Sequence, residues 1–247
     1  MPSVLVDDIP AVTVDPPGPA RGVALWLPYL GSKKEEVEPV LARLAEAGFA
    51  AASFDPWMHG ARAAEDPDAI RGRVFAAFRR EMWPILGRTT LDALRLVDWM
   101  VERTHLETPL VVAGGYSMGG DVAVALAGMD QRVRRVAAIG STPDWSRPGM
   151  RSLDGTGTLI EQGTPSALGH WLYSGLDPIS HPGSYDDPDR SFLFVSGEGD
   201  DHVPADGARR FAELVRAAVV ISTVPGGHVD SMLNPASLDT CLAHLTG

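Results

Sequence analysis

Residues 109–127 read PLVVAGGYSMGGDVAVALA, and the order of their parts decides the fold. The run Pro109 to Gly114 is short and nearly all apolar, the composition of a strand covered on both faces. Gly115-Tyr116-Ser117-Met118-Gly119 follows as a tight turn, and Gly120 to Ala127 continues as an apolar helix. A serine forced into a strand-to-helix turn lifts its hydroxyl clear of the sheet, while glycines two residues before and two after leave room for the reversal. The helix N-terminus adds an electropositive field beside that hydroxyl. Ser117 is thus a candidate nucleophile, and Asp121 in the first helical turn suits the helix dipole without a catalytic role.

Outward from this unit the same alternation repeats. Apolar runs at Val23 to Leu27, Phe49 to Phe54, Val133 to Ile139, Ser191 to Ser196 and Val219 to Val224 alternate with amphipathic stretches at Glu35 to Ala47, Thr89 to Arg103 and Ala205 to Ala217. Short apolar runs joined by covering helices predict an α/β fold with a mostly parallel central sheet and helices on both faces. Val4 to Val6 and Val12 to Val14, interrupted by Pro10 and followed by Pro16, Pro17 and Pro19, predict a short edge hairpin. Gly87 is expected to bound the helix beginning at Thr89. In Ala61 to Leu86, Phe75, Phe78, Met82 and Trp83 recur at near-helical spacing, which favours a core-facing helix over a substrate contact.

The 247 residues suit a single domain, with 45% hydrophobic and 21% charged residues giving the balance of a globular chain. Within it, 142–185 is rich in Gly and Pro yet carries Trp145, Met150, Leu153, Trp171, Leu172 and Tyr173, so it reads as a small lid or cap inserted after a strand. A formal charge of -11 opposes attraction to nucleic acid or anionic lipid, and neither is expected as a partner. No apolar run approaches the roughly 20 residues that span a bilayer, and Met1 to Val14 lacks the basic and apolar regions of a signal peptide, so a cytoplasmic location is expected. Cys241 is the sole cysteine, which excludes an internal disulfide and any multi-cysteine metal centre. H-x-x-x-H and H-E-x-x-H spacings, the phosphate-binding G-x-x-x-x-G-K-[ST] and a strand-linked G-x-G-x-x-G are also absent, which argues against a metal-dependent hydrolase and a nucleotide enzyme.

A serine hydroxyl needs a base to take its proton and an acid to orient that base. Gly197-Glu198-Gly199-Asp200-Asp201-His202-Val203-Pro204 follows one apolar run, and Pro225-Gly226-Gly227-His228 follows the next; both are loops at strand carboxyl ends, where open α/β sheets gather their sites. Asp200 is the expected acid and His228 the expected base, in the chain order Ser117, Asp200, His228. Asp201 and, more weakly, Asp144 are alternative acids; Asp200 could instead only cap the following helix. His202 stands too close to the acid in sequence to serve as base, and a surface or structural role is expected for it.

These residues carry a family resemblance. Gly-Tyr-Ser-Met-Gly at 115–119, Gly-Glu-Gly-Asp-Asp-His-Val-Pro at 197–204, Pro-Gly-Gly-His at 225–228 and Phe-Asp-Pro-Trp-Met-His-Gly at 54–60 together resemble the α/β-hydrolase superfamily. Within it the chain is similar to small bacterial carboxylesterases close to dienelactone hydrolases and prolyl-oligopeptidase-like esterases. The resemblance covers nearly the whole chain and implies an esterase or related acyl hydrolase using no metal and no organic cofactor. It also implies an oxyanion hole formed by the Met118 N–H and a second donor from the loop Leu27-Pro28-Tyr29-Leu30-Gly31-Ser32. That loop has Pro-Tyr where the family pattern has His-Gly, so the backbone N–H of Tyr29 or Leu30, or the Tyr29 hydroxyl, is the expected second donor.

The expected reaction is cleavage of a carboxylic ester through an acyl-enzyme on Ser117. Thioesterase, acyltransferase, cyclase or lyase chemistry on the same residues, and a non-catalytic ligand-binding protein, are the alternatives. The aromatics of the insertion, Trp145, Trp171 and Tyr173, are expected to face an uncharged or hydrophobic small-molecule ester or thioester. The sequence leaves the oligomeric state open.

Overall fold

A computed structural model describes residues 3–247. The chain opens with the hairpin β1 (Ser3–Val6) and β2 (Ile9–Val14), then runs through β3 (Gly22–Leu27), α1 (Glu38–Glu46) and β4 (Phe49–Phe54). Two helices follow, α2 (Pro67–Ala76) and α3 (Phe78–Thr104), before β5 (Val111–Tyr116), α4 (Met118–Met129) and β6 (Val133–Ile139). The remainder comprises α5 (Ala167–Leu176), β7 (Ser191–Gly197), α6 (Asp206–Leu214), β8 (Ala218–Val224), α7 (His228–Leu233) and α8 (Pro235–Thr246).

The eight strands form one sheet in the order β1-β2-β4-β3-β5-β6-β7-β8. β3 to β8 pair in parallel, while β1 and β2 are antiparallel at one edge. Alternation along a strand splits the core into two layers. On β3, Val23, Leu25 and Leu27 face the layer shared with α3, α4 and α6; Ala24 and Trp26 face the layer shared with α1 and α8. Coverage on both sides explains why β3 and β4 carry so few polar residues at their centres. This is the α/β-hydrolase fold. Among the described residues, no helix is long and apolar enough to cross a membrane.

One boundary differs from the sequence expectation. α3 does not begin after Gly87; it runs unbroken from Phe78 through Pro84 and Gly87 to Thr104. Gly87 is required by packing, since a Cβ there would lie 2.7 Å from the Leu172 side chain on α5. The missing side chain lets α5 lie close against α3, and tertiary contact outweighs the poor helix propensity of glycine.

Candidate active site

The turn after β5 forces the residues that fill it. Ser117 has φ 47° and ψ −115°, a strained setting for a residue with a Cβ, and it is the N-cap of α4. A Cβ on Gly115 would lie 2.5 Å from the Gly119 carbonyl carbon, and one on Gly119 would lie 2.3 Å from the Leu27 oxygen. The Ser117 N–H donates to the Ile139 carbonyl at 2.7 Å, fixing the turn to neighbouring β6.

β7 and β8 end on the same rim of the sheet. The Asp200 side chain is fully buried; Oδ1 accepts the N–H groups of His202 (3.1 Å) and Val203 (2.7 Å), and Oδ2 lies 2.8 Å from His228 Nδ1. His228 is the first residue of α7, and its Nε2 lies 3.1 Å from Ser117 Oγ. Ser117, His228 and Asp200 therefore form one hydrogen-bonded line, although 111 residues separate the first two. Such a line can draw the hydroxyl proton toward the imidazole while the carboxylate holds Nδ1–H. The rival acids are elsewhere: Asp144 binds Arg210 and Ser146, and Asp201 is exposed.

The N–H groups of Met118, Tyr29 and Leu30 donate to no acceptor among the described residues. The Tyr29 hydroxyl, by contrast, donates to Glu36 at 3.1 Å. Ser117 and His228 open onto a cavity of about 470 Å³ whose wall is mostly apolar, with Leu30, Phe75, Phe78, Met82, Leu153 and Met232 prominent. No carboxylate side chain lines it; its charged walls are Arg71 and Arg147. Arg147 is almost fully buried and pairs with Asp121, which also accepts the Thr142 N–H at 2.8 Å. That pair ties the start of 142–185 to the elbow helix and gives the buried Asp121 a structural role.

The aromatics expected to contact substrate lie away from this cavity. Trp145 is completely buried, with its carbonyl accepting the Trp83 indole N–H at 3.0 Å. Tyr173 stacks on Trp83 with ring centroids 4.0 Å apart, and Trp171 is 69% exposed beside Leu91 and Met129 on the α5 flank. Within the insertion, only Arg147 and Leu153 border the cavity. Conversely, Phe75, Phe78 and Met82, for which core packing was favoured over substrate contact, form cavity wall, Phe78 and Met82 while also buried in the core. His202 lines the cavity as well, a place the sequence reading did not give it. Its proximity to the acid in the chain was the available signal, since a residue two places after a strand-end acid shares its rim.

Comparison with known proteins supports this frame. The chain is similar in structure to TT1662 from Thermus thermophilus, at 22% identity over 99% of this chain and 95% of that one, with a TM-score of 0.70. It is also similar to the dienelactone hydrolase of Anabaena variabilis (17% identity; 99% and 93% covered; TM-score 0.63). A third likeness is to Est1E of Butyrivibrio proteoclasticus, a structure holding ferulic acid (16% identity; 100% of both chains; TM-score 0.62). No curated protein matches the chain. The family model described as the prolyl oligopeptidase family matches residues 72–224, more than half of the chain, taking in Ser117 and Asp200 and stopping just short of His228. With that match on the α/β-hydrolase fold, the chain belongs to the prolyl oligopeptidase family and is a serine hydrolase.

Proposed function

We propose that this chain is a carboxylic ester hydrolase working through an acyl-enzyme on Ser117, with His228 as general base and Asp200 as its orienting acid. The observation that carries the reading is the pair of contacts, Ser117 Oγ to His228 Nε2 at 3.1 Å and His228 Nδ1 to Asp200 Oδ2 at 2.8 Å, opening on an apolar cavity. Ser117 Oγ attacks the ester carbonyl as its proton passes to His228 Nε2, and the carbonyl oxygen becomes an oxyanion. The Met118 N–H and the backbone N–H of Tyr29 or Leu30 receive that charge; the Tyr29 hydroxyl, engaged by Glu36, does not. Collapse of the tetrahedral intermediate expels the alkoxide, which takes the proton from His228, and water attacks the acyl-enzyme by the same route in reverse. The apolar wall favours an uncharged substrate, gaining from each methylene it removes from water.

p-Nitrophenyl esters of increasing acyl length test this. The wild type is expected to turn them over with kcat/KM rising roughly fourfold per methylene until the cavity is filled, and Ser117→Ala to lower kcat about 10⁵-fold or more. Hydrolysis persisting in Ser117→Ala would overturn the mechanism.

A further inference from the structure

His202 places a second imidazole beside the first. Its ring is 3% exposed and stands edge-on to His228, with centroids 4.9 Å apart, and edge-on to Phe75 at 5.3 Å. His202 Nδ1 lies 2.6 Å from the Arg151 carbonyl oxygen. A carbonyl can only accept, so Nδ1 carries a hydrogen, and a neutral ring with Nδ1–H must present Nε2 as a lone pair. Burial, followed by the neighbouring His228 and Arg147, holds the His202 pKa down at about 3, so the ring stays neutral wherever an ester would be cleaved. Nε2 has no hydrogen-bond partner among the described residues, yet the ring belongs to the cavity wall. The imidazole that borders the cavity beside Ser117 and His228 therefore carries a fixed acceptor with no protein partner among the described residues.

We infer that His202 Nε2 reads a hydroxyl group of the substrate, making the site selective for esters that carry an O–H within a few bonds of the scissile carbonyl. This rests on the esterase reading above. A neutral hydroxyl fits better than an ammonium group, because Arg71 and Arg147 are the charged walls and no carboxylate side chain lines the cavity. The short separation of the two imidazoles sets the distance from the carbonyl, and the apolar walls require the rest of the substrate to be largely hydrocarbon. His202 is on this view a specificity residue and takes no part in the proton transfer.

Matched ester pairs test the inference on either side of the bond. One pair is p-nitrophenyl butyrate and p-nitrophenyl 3-hydroxybutyrate; the other is phenyl butyrate and 2-hydroxyphenyl butyrate. The wild type is expected to favour the hydroxylated member of at least one pair by about tenfold or more in kcat/KM. His202→Phe should bring that ratio close to one, and His202→Gln, which keeps an acceptor, should restore part of it. A merely structural role would lower both members of a pair together and leave the ratio unmoved. Equal ratios in wild type and His202→Phe for both pairs overturn the inference while leaving the esterase reading intact. If the wild type cleaves none of the four, the esterase reading fails, and nitrogen NMR of the imidazoles in Ser117→Ala decides the inference separately. There, the His202 Nε2 resonance should be that of an unprotonated nitrogen from pH 5 to 8 and should move with phenol but not with anisole. A resonance that titrates in this range, or that phenol leaves in place, overturns it.

Discussion

The strand-end loops holding Ser117, Asp200 and His228 and the long segment 142–185 leave the same rim of the sheet, but they turn sequence into position in different ways. Each strand-end residue lies within a few positions of a strand of the central sheet and a following helix, so the backbone leaves its side chain little choice of direction. Between β6 and β7 the chain has one α-helix and two short 3₁₀ helices, and there its apolar residues take widely different degrees of burial. Trp145 entered the core, Tyr173 stacked on Trp83, and Trp171 stayed exposed. Residue type at a short strand-end loop thus reports chemistry, whereas an aromatic in a long insertion reports first on packing.

The largest effect should come from the first region. In Asp200→Asn the amide oxygen can keep the His202 and Val203 N–H groups on its Oδ1 side, which turns the NH₂ toward His228 Nδ1. His228 Nδ1 must then accept, Nε2 carries the hydrogen, and the ring can no longer receive the Ser117 proton. We expect kcat on p-nitrophenyl esters to fall about 10⁴-fold with the melting temperature nearly unchanged. A loss below about tenfold would show that the acid is supplied from elsewhere and break the contrast at its stronger end.

Trp145 probes the second region. Replacing this fully buried ring with Ala removes packing and leaves a void, at a cost of about 3–5 kcal/mol in unfolding free energy. KM for apolar esters should hold, because the ring does not reach the cavity. Trp145→Phe should cost less, since it retains most of the ring and deletes an indole N–H that has no partner in the core. A several-fold rise in KM for a Trp145→Phe protein of normal stability would return the insertion to the substrate side.

The parts of the molecule legible in the sequence follow the same division. Parallel strands buried on both faces leave runs such as Val111 to Ala113 that hardly resemble anything else, and the elbow between β5 and α4 names its own geometry. Gly87 misled because its meaning lies in Leu172, a residue far along the chain. Phe75, Phe78 and Met82 were ambiguous because cavity walls and core are made from the same side chains. His202 could not be placed without Arg151, whose carbonyl sets its tautomer and is brought to it only by the folded insertion. The partner of the Tyr29 hydroxyl was hidden for a similar reason, Glu36 being reached through the turn that follows β3.

A smaller effect comes from what anchors the insertion. Asp177, just past α5, accepts the Trp145 N–H at 2.8 Å and the Ser180 hydroxyl. Burial, reinforced by the nearby Asp144 charge, outweighs those hydrogen bonds and raises its pKa from the ordinary 3.8 to about 6. The folded state thus holds this proton more tightly than the unfolded chain. The stabilisation is fully present below about pH 3.8 and is lost as pH rises to about 6, since over that window the native state binds more protons. Asn at this position resembles the protonated acid and does not titrate. The stability of Asp177→Asn relative to wild type should therefore climb between pH 4 and 6, by on the order of 3 kcal/mol, and stay level above pH 6. Urea unfolding of both proteins at pH 4, 5, 6 and 7 measures this. A constant difference across the series would mean that burial does not raise the Asp177 pKa, and that the two regions differ in packing alone.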